Sequence, residues 1–272
     1  MTQDARLGRY RLLELISERA GGVALWQAFD EMLDRPVAIR VVPLTHPRAD
    51  AVLAAAQRAA LVDDRRLLRV LDLIEVPTRD ARPGGHGVVS EWATGRDVGE
   101  LLAARHGTPL GPPEALDLVA DVARAVAAGA GQGIGHGRLR PSSVFVTDAG
   151  EVRVRGLAVD AAVFGRGELS DGTPAPTIAE ADVDGLGCLT YLLTTGYWPG
   201  GATPGLPEAP RSPGGVLPPT QVRAAVPGGL DDLVGRSVAA AALPRGAERL
   251  ETAAGFASAA GATLDHVAPV VT

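Results

Sequence analysis

The sequence predicts an α+β fold in two lobes. A small antiparallel β lobe carrying one helix occupies residues 1–92, a mainly helical lobe occupies 93–264, and a tail runs over 265–272. Three observations carry this reading. Segments with alternating or short β-branched apolar runs fall in the first third of the chain, and the longer patterns beyond it have helical spacing. Clusters of Gly, Pro, Asp and Thr punctuate the chain between these segments.

The elements follow in order. Residues 10–16 alternate, Gly21 and Gly22 mark a turn, and 24–29 resume extended character, which together read as a hairpin. Residues 35–43 form the next strand. Thr45 is expected to cap a helix with Pro47 in its first turn, continued by strong helix formers to residue 62. Residues 70–76 and 87–92 complete a five-stranded lobe. Asp97 opens a short helix to residue 104, and Pro112 and Pro113 precede a long amphipathic one over 114–131. A Gly-, Pro-, Asp- and Thr-rich connection spans 160–181, and a helix opens at Asp182. Residues 200–227 read as a long loop, and helical patterns resume at Leu230 and after Pro244.

Composition narrows the function classes. The chain of 272 residues is 46% hydrophobic, enough for a substantial core. Its formal net charge is -6 with basic residues spread along it, so nucleic acid is not an expected partner. A single cysteine, Cys188, and a polar start favour a reducing, cytoplasmic setting, and no window has the apolar run of a membrane helix. All 26 basic Lys+Arg residues are Arg, and the chain contains neither Lys nor Asn.

The run Ile-Gly-His-Gly-Arg-Leu-Arg-Pro-Ser-Ser-Val-Phe-Val over 134–146, with Val-Arg-Val-Arg-Gly-Leu-Ala-Val over 152–159, resembles the catalytic loop and metal-binding strand of a eukaryotic-type protein kinase. His136, Leu139, Pro141 and Val144 keep the loop's frame. The catalytic Asp position is Arg138, the metal Asn position is Ser143, and the metal Asp position is Gly156. Upstream, Arg40 stands at the place of the strand Lys and Ala55 at that of the helix Glu. Glu18, Ala20 and Val23 take the glycine-loop positions, and Glu91 begins the hinge between lobes. Residues 182–199 resemble the family's F helix, which implies a structural Asp182 whose carboxylate accepts amides of the catalytic loop. Residues 244–254 resemble its closing motif, with Arg249 as the Arg and Glu180 as the one stand-in for its missing Glu partner.

The resemblance implies a bilobal protein-kinase-like fold and, with those positions substituted, a pseudokinase: not an enzyme, with no cofactor and no metal. More narrowly, the chain looks like the cytoplasmic pseudokinase domain of actinobacterial MviN proteins, whose membrane part is a MurJ-type flippase for the lipid-linked peptidoglycan precursor. That implies an intracellular domain of an inner-membrane protein with the flippase in cis. An upstream Ser/Thr kinase would phosphorylate a Thr, and a forkhead-associated (FHA) protein would bind it and regulate precursor flipping. Thr263 and Thr272 in the tail are favoured for the phosphate over Thr177 and Thr173 in the 160–181 connection. Two further readings stay open. One is an unorthodox nucleotide-dependent transferase with Arg40 on the phosphates and Asp160 or Asp148 recruited for metal; the other is a small-ligand sensor using the old nucleotide cleft.

Overall fold

The computed structural model describes residues 4–19, 21–78, 84–165 and 175–267. Strands β1 (Arg6–Leu7), β2 (Tyr10–Glu18), β3 (Ala24–Asp30), β4 (Arg35–Pro43), β5 (Val70–Val76) and β6 (Gly85–Glu91) form one antiparallel sheet in the order β1-β2-β3-β4-β6-β5. The strand beyond the expected five is β1, a two-residue edge pairing with the start of β2. β4 lies between β3 and β6, with Arg40 opposite Leu25 on one side and Val88 on the other. Alternation sends Val37, Ile39 and Val41 into a cluster with Leu12, Trp26 and Val89. Arg40 points to the other face, where Val42 and Val88 join the core that continues into the large lobe. Helix α1 (Ala49–Ala59) lies on that face, burying Val52, Ala55, Ala56 and Ala59. It starts at Ala49 with Arg48 at its N-cap, so Thr45 is not the cap: Thr45 and Pro47 lie in the preceding turn, where the His46 N–H bonds the Pro43 carbonyl.

In the large lobe β7 (Arg96–Asp97) leads into α2 (Val98–Ala104), closed by a capping box in which Asp97 accepts the Glu100 N–H at 2.8 Å and Glu100 accepts the Asp97 N–H at 3.0 Å. Helix α3 (Pro112–Ala130) packs against the later helices with an apolar face that includes Leu116, Val119, Val122 and Val126. β8 (Val144–Val146) lies between β7 and β9 (Val152–Val154) in a three-stranded antiparallel sheet. Helix α4 (Val159–Phe164) packs on α1.

Helix α5 (Ile178–Thr195) begins before Asp182, because Thr177 and Glu180 form a second capping box. It ends at Gly196, whose φ of 85° is open to glycine at little strain. The expected loop over 200–227 contains a hairpin of β10 (Arg211–Ser212) and β11 (Gly215–Val216) and the short helix α6 (Pro219–Val222). α7 (Gly229–Ser237) and α8 (Ala253–Val267) complete the lobe. α8 includes Asp265 and His266, so the expected tail over 265–272 begins inside the helix. Trp198, Tyr191 and Phe256 are among the largest fully buried side chains of the shared core. Among the described residues no helix is long and apolar enough to cross a membrane.

Candidate functional site

The loop between α3 and β8 is held from below by α5. Asp182, near the start of that helix, accepts the His136 N–H at 3.0 Å and the Gly137 N–H at 2.6 Å. Burial raises its carboxyl pKa above 3.8, although nearby His136 and the two amides pull the other way. Gly135 leaves room for this approach, since a Cβ there would lie 2.6 Å from Asp182 Oδ2. The buried His136 ring has Nε2 2.9 Å from the Arg155 carbonyl, while Nδ1 accepts the Arg138 N–H at 3.3 Å. Those partners fix the proton on Nε2. Arg249 sits elsewhere, donating to the carbonyls of Gly235, Val238 and Ala241, while Glu180 is engaged with Thr177. The exchange of Glu180 for a missing Arg249 partner is therefore not made.

Above the loop, Arg40 finds its counter-charge in α4. Its Nη2 donates to Asp160 Oδ1 at 2.7 Å, and both side chains are about 10% exposed. At the position of the expected helix Glu, Ala55 is buried in the core and offers no charge. Gly156 explains how Asp160 arrives. With φ at 86°, Gly156 turns the chain so that a Cβ built on it would lie 2.3 Å from Asp160 Cγ and within 2.6 Å of both its oxygens. The carboxylate of Asp160 thus occupies the place where a side chain at the metal-Asp position would begin. Asp148, the other carboxylate weighed from sequence, is exposed in the turn between β8 and β9.

Phe164, at the end of α4, is ringed by guanidiniums: Arg40 at 5.2 Å, Arg138 at 5.6 Å and Arg19 at 5.8 Å from its centroid. Arg138 also donates to the Gly165 carbonyl at 3.0 Å. On the interlobe side Arg155 stacks on Phe145 at 5.1 Å and donates to the Ser142 carbonyl at 2.8 Å, while buried Ser143 accepts the Arg155 N–H at 2.8 Å. Burial is the main cause lowering the Arg155 pKa. The cavity left between the lobes, lined by Leu25, Arg40, Val88 and Arg155, is about 30 Å³. Glu91 at the hinge binds Arg153 at 2.9 Å and Arg69 at 3.3 Å. Sequence reasoning missed Arg155, Arg19 and Phe164. The alternation of β9, which buries Val152 and Val154, was the available signal that Arg153 and Arg155 share the other side.

The phosphorylation candidates separate by position. Thr263 is not in an extended tail: it lies inside α8, half-buried, with its hydroxyl donating to the Ala259 carbonyl at 2.8 Å. Thr177 is exposed at the start of α5. Thr173 and Thr272, like Ala20 of the expected glycine-loop set, lie outside the described residues.

No protein-family model matches the chain. It is 26% identical over 216 residues to the serine/threonine-protein kinase PknL of Mycobacterium tuberculosis, covering 72% of this chain and 52% of PknL. It is 26% identical over 161 residues to the serine/threonine-protein kinase PrkC of Bacillus subtilis, covering 57% of this chain and 23% of that protein. The chain thus spans about half the length of PknL and less of PrkC. A crystal structure of the M. tuberculosis PknI kinase domain superposes with a TM-score of 0.73 at 19% identity, over 98% of this chain and 100% of that one.

These comparisons correct the expectation of a protein that is not an enzyme, because the matched relatives are named serine/threonine-protein kinases and the superposed structures are kinase domains. That expectation tied each chemical role to one sequence position, whereas Asp160 brings a carboxylate to the Gly156 place from the next helical turn. The chain has the fold of a protein kinase domain, with a curled antiparallel sheet above a helical lobe.

Proposed function

We propose that this chain is a nucleotide-dependent protein kinase of the serine/threonine type, in which Arg40 and Asp160 do the work of the strand Lys and the metal Asp. The observation that carries the reading is the Asp160 carboxylate, placed where a Gly156 side chain would begin and bonded to Arg40 at 2.7 Å. Among the described residues no cluster of three or more metal-binding side chains exists. One carboxylate nevertheless fits magnesium, which takes most of its ligands from water and substrate phosphates. Asp160 would hold that ion, which neutralises charge on the transferred phosphoryl group.

The chain's own groups account for the rest. Arg40, once its fork is shared with a nucleotide, grips phosphate oxygens in two directions rather than as a point charge. Arg138 at the base position supplies no proton acceptor. Phosphoryl transfer through a loose transition state asks chiefly for positioning and charge stabilisation, so this loss is tolerable. Arg155 covers Phe145 in the conformation described, so a purine enters only when that side chain leaves the stack.

The test is isothermal titration of the full chain with ATP and magnesium or manganese, paired with a radiolabel transfer assay. Binding and label incorporation are expected, strengthened by Arg155→Ala and lost in Asp160→Asn. No heat and no label from either the parent or the Arg155→Ala protein would refute the proposal.

A second reading rests on Thr177, an exposed residue at the start of α5 whose hydroxyl is held by Glu180 in the capping box. Here a separate kinase phosphorylates this chain and an FHA protein docks on it, with a flippase in cis as the setting. Phosphosite mapping by mass spectrometry after treatment with a Ser/Thr kinase tests it. Modification at Thr177 supports this reading, and an unmodified Thr177 removes its support.

A further inference from the structure

The catalytic-loop face carries a second, larger cavity, of about 510 Å³, whose walls include Arg19, Arg138 and Arg140. None of these three guanidiniums lies within ion-pair distance of a carboxylate among the described residues. Three carboxylates also line the cavity, and each is already engaged. Asp160 is paired with Arg40, and Asp97 and Glu100 hold each other's backbone N–H in the α2 capping box. Aromatic faces hold the guanidiniums at fixed places: Arg138 and Arg19 against Phe164, and Arg140 5.8 Å from the buried Trp198 ring. Arg138 has its pKa lowered by burial first and then by nearby Arg140, an effect that Asp160 partly offsets and Arg19 adds to. A bound anion would relieve that repulsion.

We propose that this cavity binds a phosphorylated serine or threonine side chain of a protein segment, with Arg138 and Arg140 on the phosphate and Arg19 at the mouth. A phosphate monoester offers three acceptor oxygens and close to two charges, so more than one planar guanidinium fork can share it. The cavity is more than ten times the ~30 Å³ share of one water, so it has room for the residue that carries the phosphate. Its far wall is the loop bearing Ala202, Pro204 and Leu206, an apolar surface against which a peptide backbone can lie. The cavity shares Arg138 and Asp160 with the transfer site proposed above, but binding there requires neither nucleotide nor metal, so a failed transfer assay and a failed peptide-binding assay are told apart.

Fluorescence anisotropy on the full chain, without nucleotide, decides it. The probes are a short labelled Gly-Ala peptide with one central phosphoserine, its unphosphorylated twin, and inorganic phosphate as competitor. The phosphopeptide is expected to bind at least about tenfold more tightly than its twin, as one or two charge-assisted hydrogen bonds imply. Arg140→Gln should weaken it by about the same factor. Because Arg138 also supports the chain at Gly165, the exposed Arg19→Glu is the variant that leaves folding intact, and it should weaken binding and flatten its dependence on salt. Equal affinity for the two peptides would overturn the proposal. So would displacement by free phosphate as strong as that by unlabelled phosphopeptide, or binding unchanged in both Arg140→Gln and Arg19→Glu.

Discussion

Replacing Asp160 by Asn would leave the Arg40 guanidinium buried without its counter-charge. Arg40 is 8% exposed on a strand paired on both sides, so it cannot swing into water without leaving the sheet. Removing one partner of a buried pair costs about 3–5 kcal/mol. Asn keeps a carbonyl acceptor for Nη2, which retains part of a charge-assisted bond of about 1.5–3 kcal/mol, so the expected loss is about 2–4 kcal/mol. Urea unfolding of the two proteins measures it. The companion variant Arg40→Met/Asp160→Leu replaces both charges with apolar groups and should lie within about 1 kcal/mol of the parent, because neither charge is then stranded. The reasoning fails if Asp160→Asn changes stability by less than about 0.5 kcal/mol, or if the double variant loses as much as its single changes add up to.

Gly156→Ala should destabilise by at least about 1–2 kcal/mol from its positive φ alone, and more because the new Cβ meets the Asp160 carboxylate; an unchanged unfolding midpoint would show that Asp160 is not where the structure puts it. Asp182 has a folded pKa raised above 3.8 by burial, so the proton it holds contributes stability fully below pH 3.8, and that contribution is lost as pH rises through the folded value. The stability difference between the parent and Asp182→Asn, followed by denaturant titration from pH 3.8 upward, should therefore shrink with pH, and a growing difference would contradict the assignment. Tyr10, whose hydroxyl donates to Asp72 at 2.8 Å, has its pKa pushed up to about 12 by burial first and that bond second. Tyr10→Phe should cost about 1–2 kcal/mol and remove a component near pH 12 from the alkaline absorbance titration; a titration curve identical to the parent's would refute it.

The order of lobes, the strands of the sheet and the loop frame around His136 were legible because each depends on local pattern: period-two burial, helix formers between caps, and turn residues between them. The start of α5 is also written locally, in the Thr-x-x-Glu spacing of Thr177 and Glu180, a signal that lies upstream of the Asp182 where the F-helix resemblance begins. The chemistry of the cleft was not legible in the same way. Reading down the motif finds Gly156 where a carboxylate belongs, and Asp160 could only be named alongside Asp148. Only the tertiary structure separates them, because the positive φ of Gly156 and one turn of α4 fold the Asp160 carboxylate back onto the vacant Cβ position while α1 and α4 pack together. The clustering of Arg19, Arg138 and Arg140, drawn from β2's end and the catalytic loop, is likewise set by how the lobes meet. Residues distant in sequence acquire a shared role when packing brings their charges within a few ångströms, a distance that one-dimensional spacing does not encode.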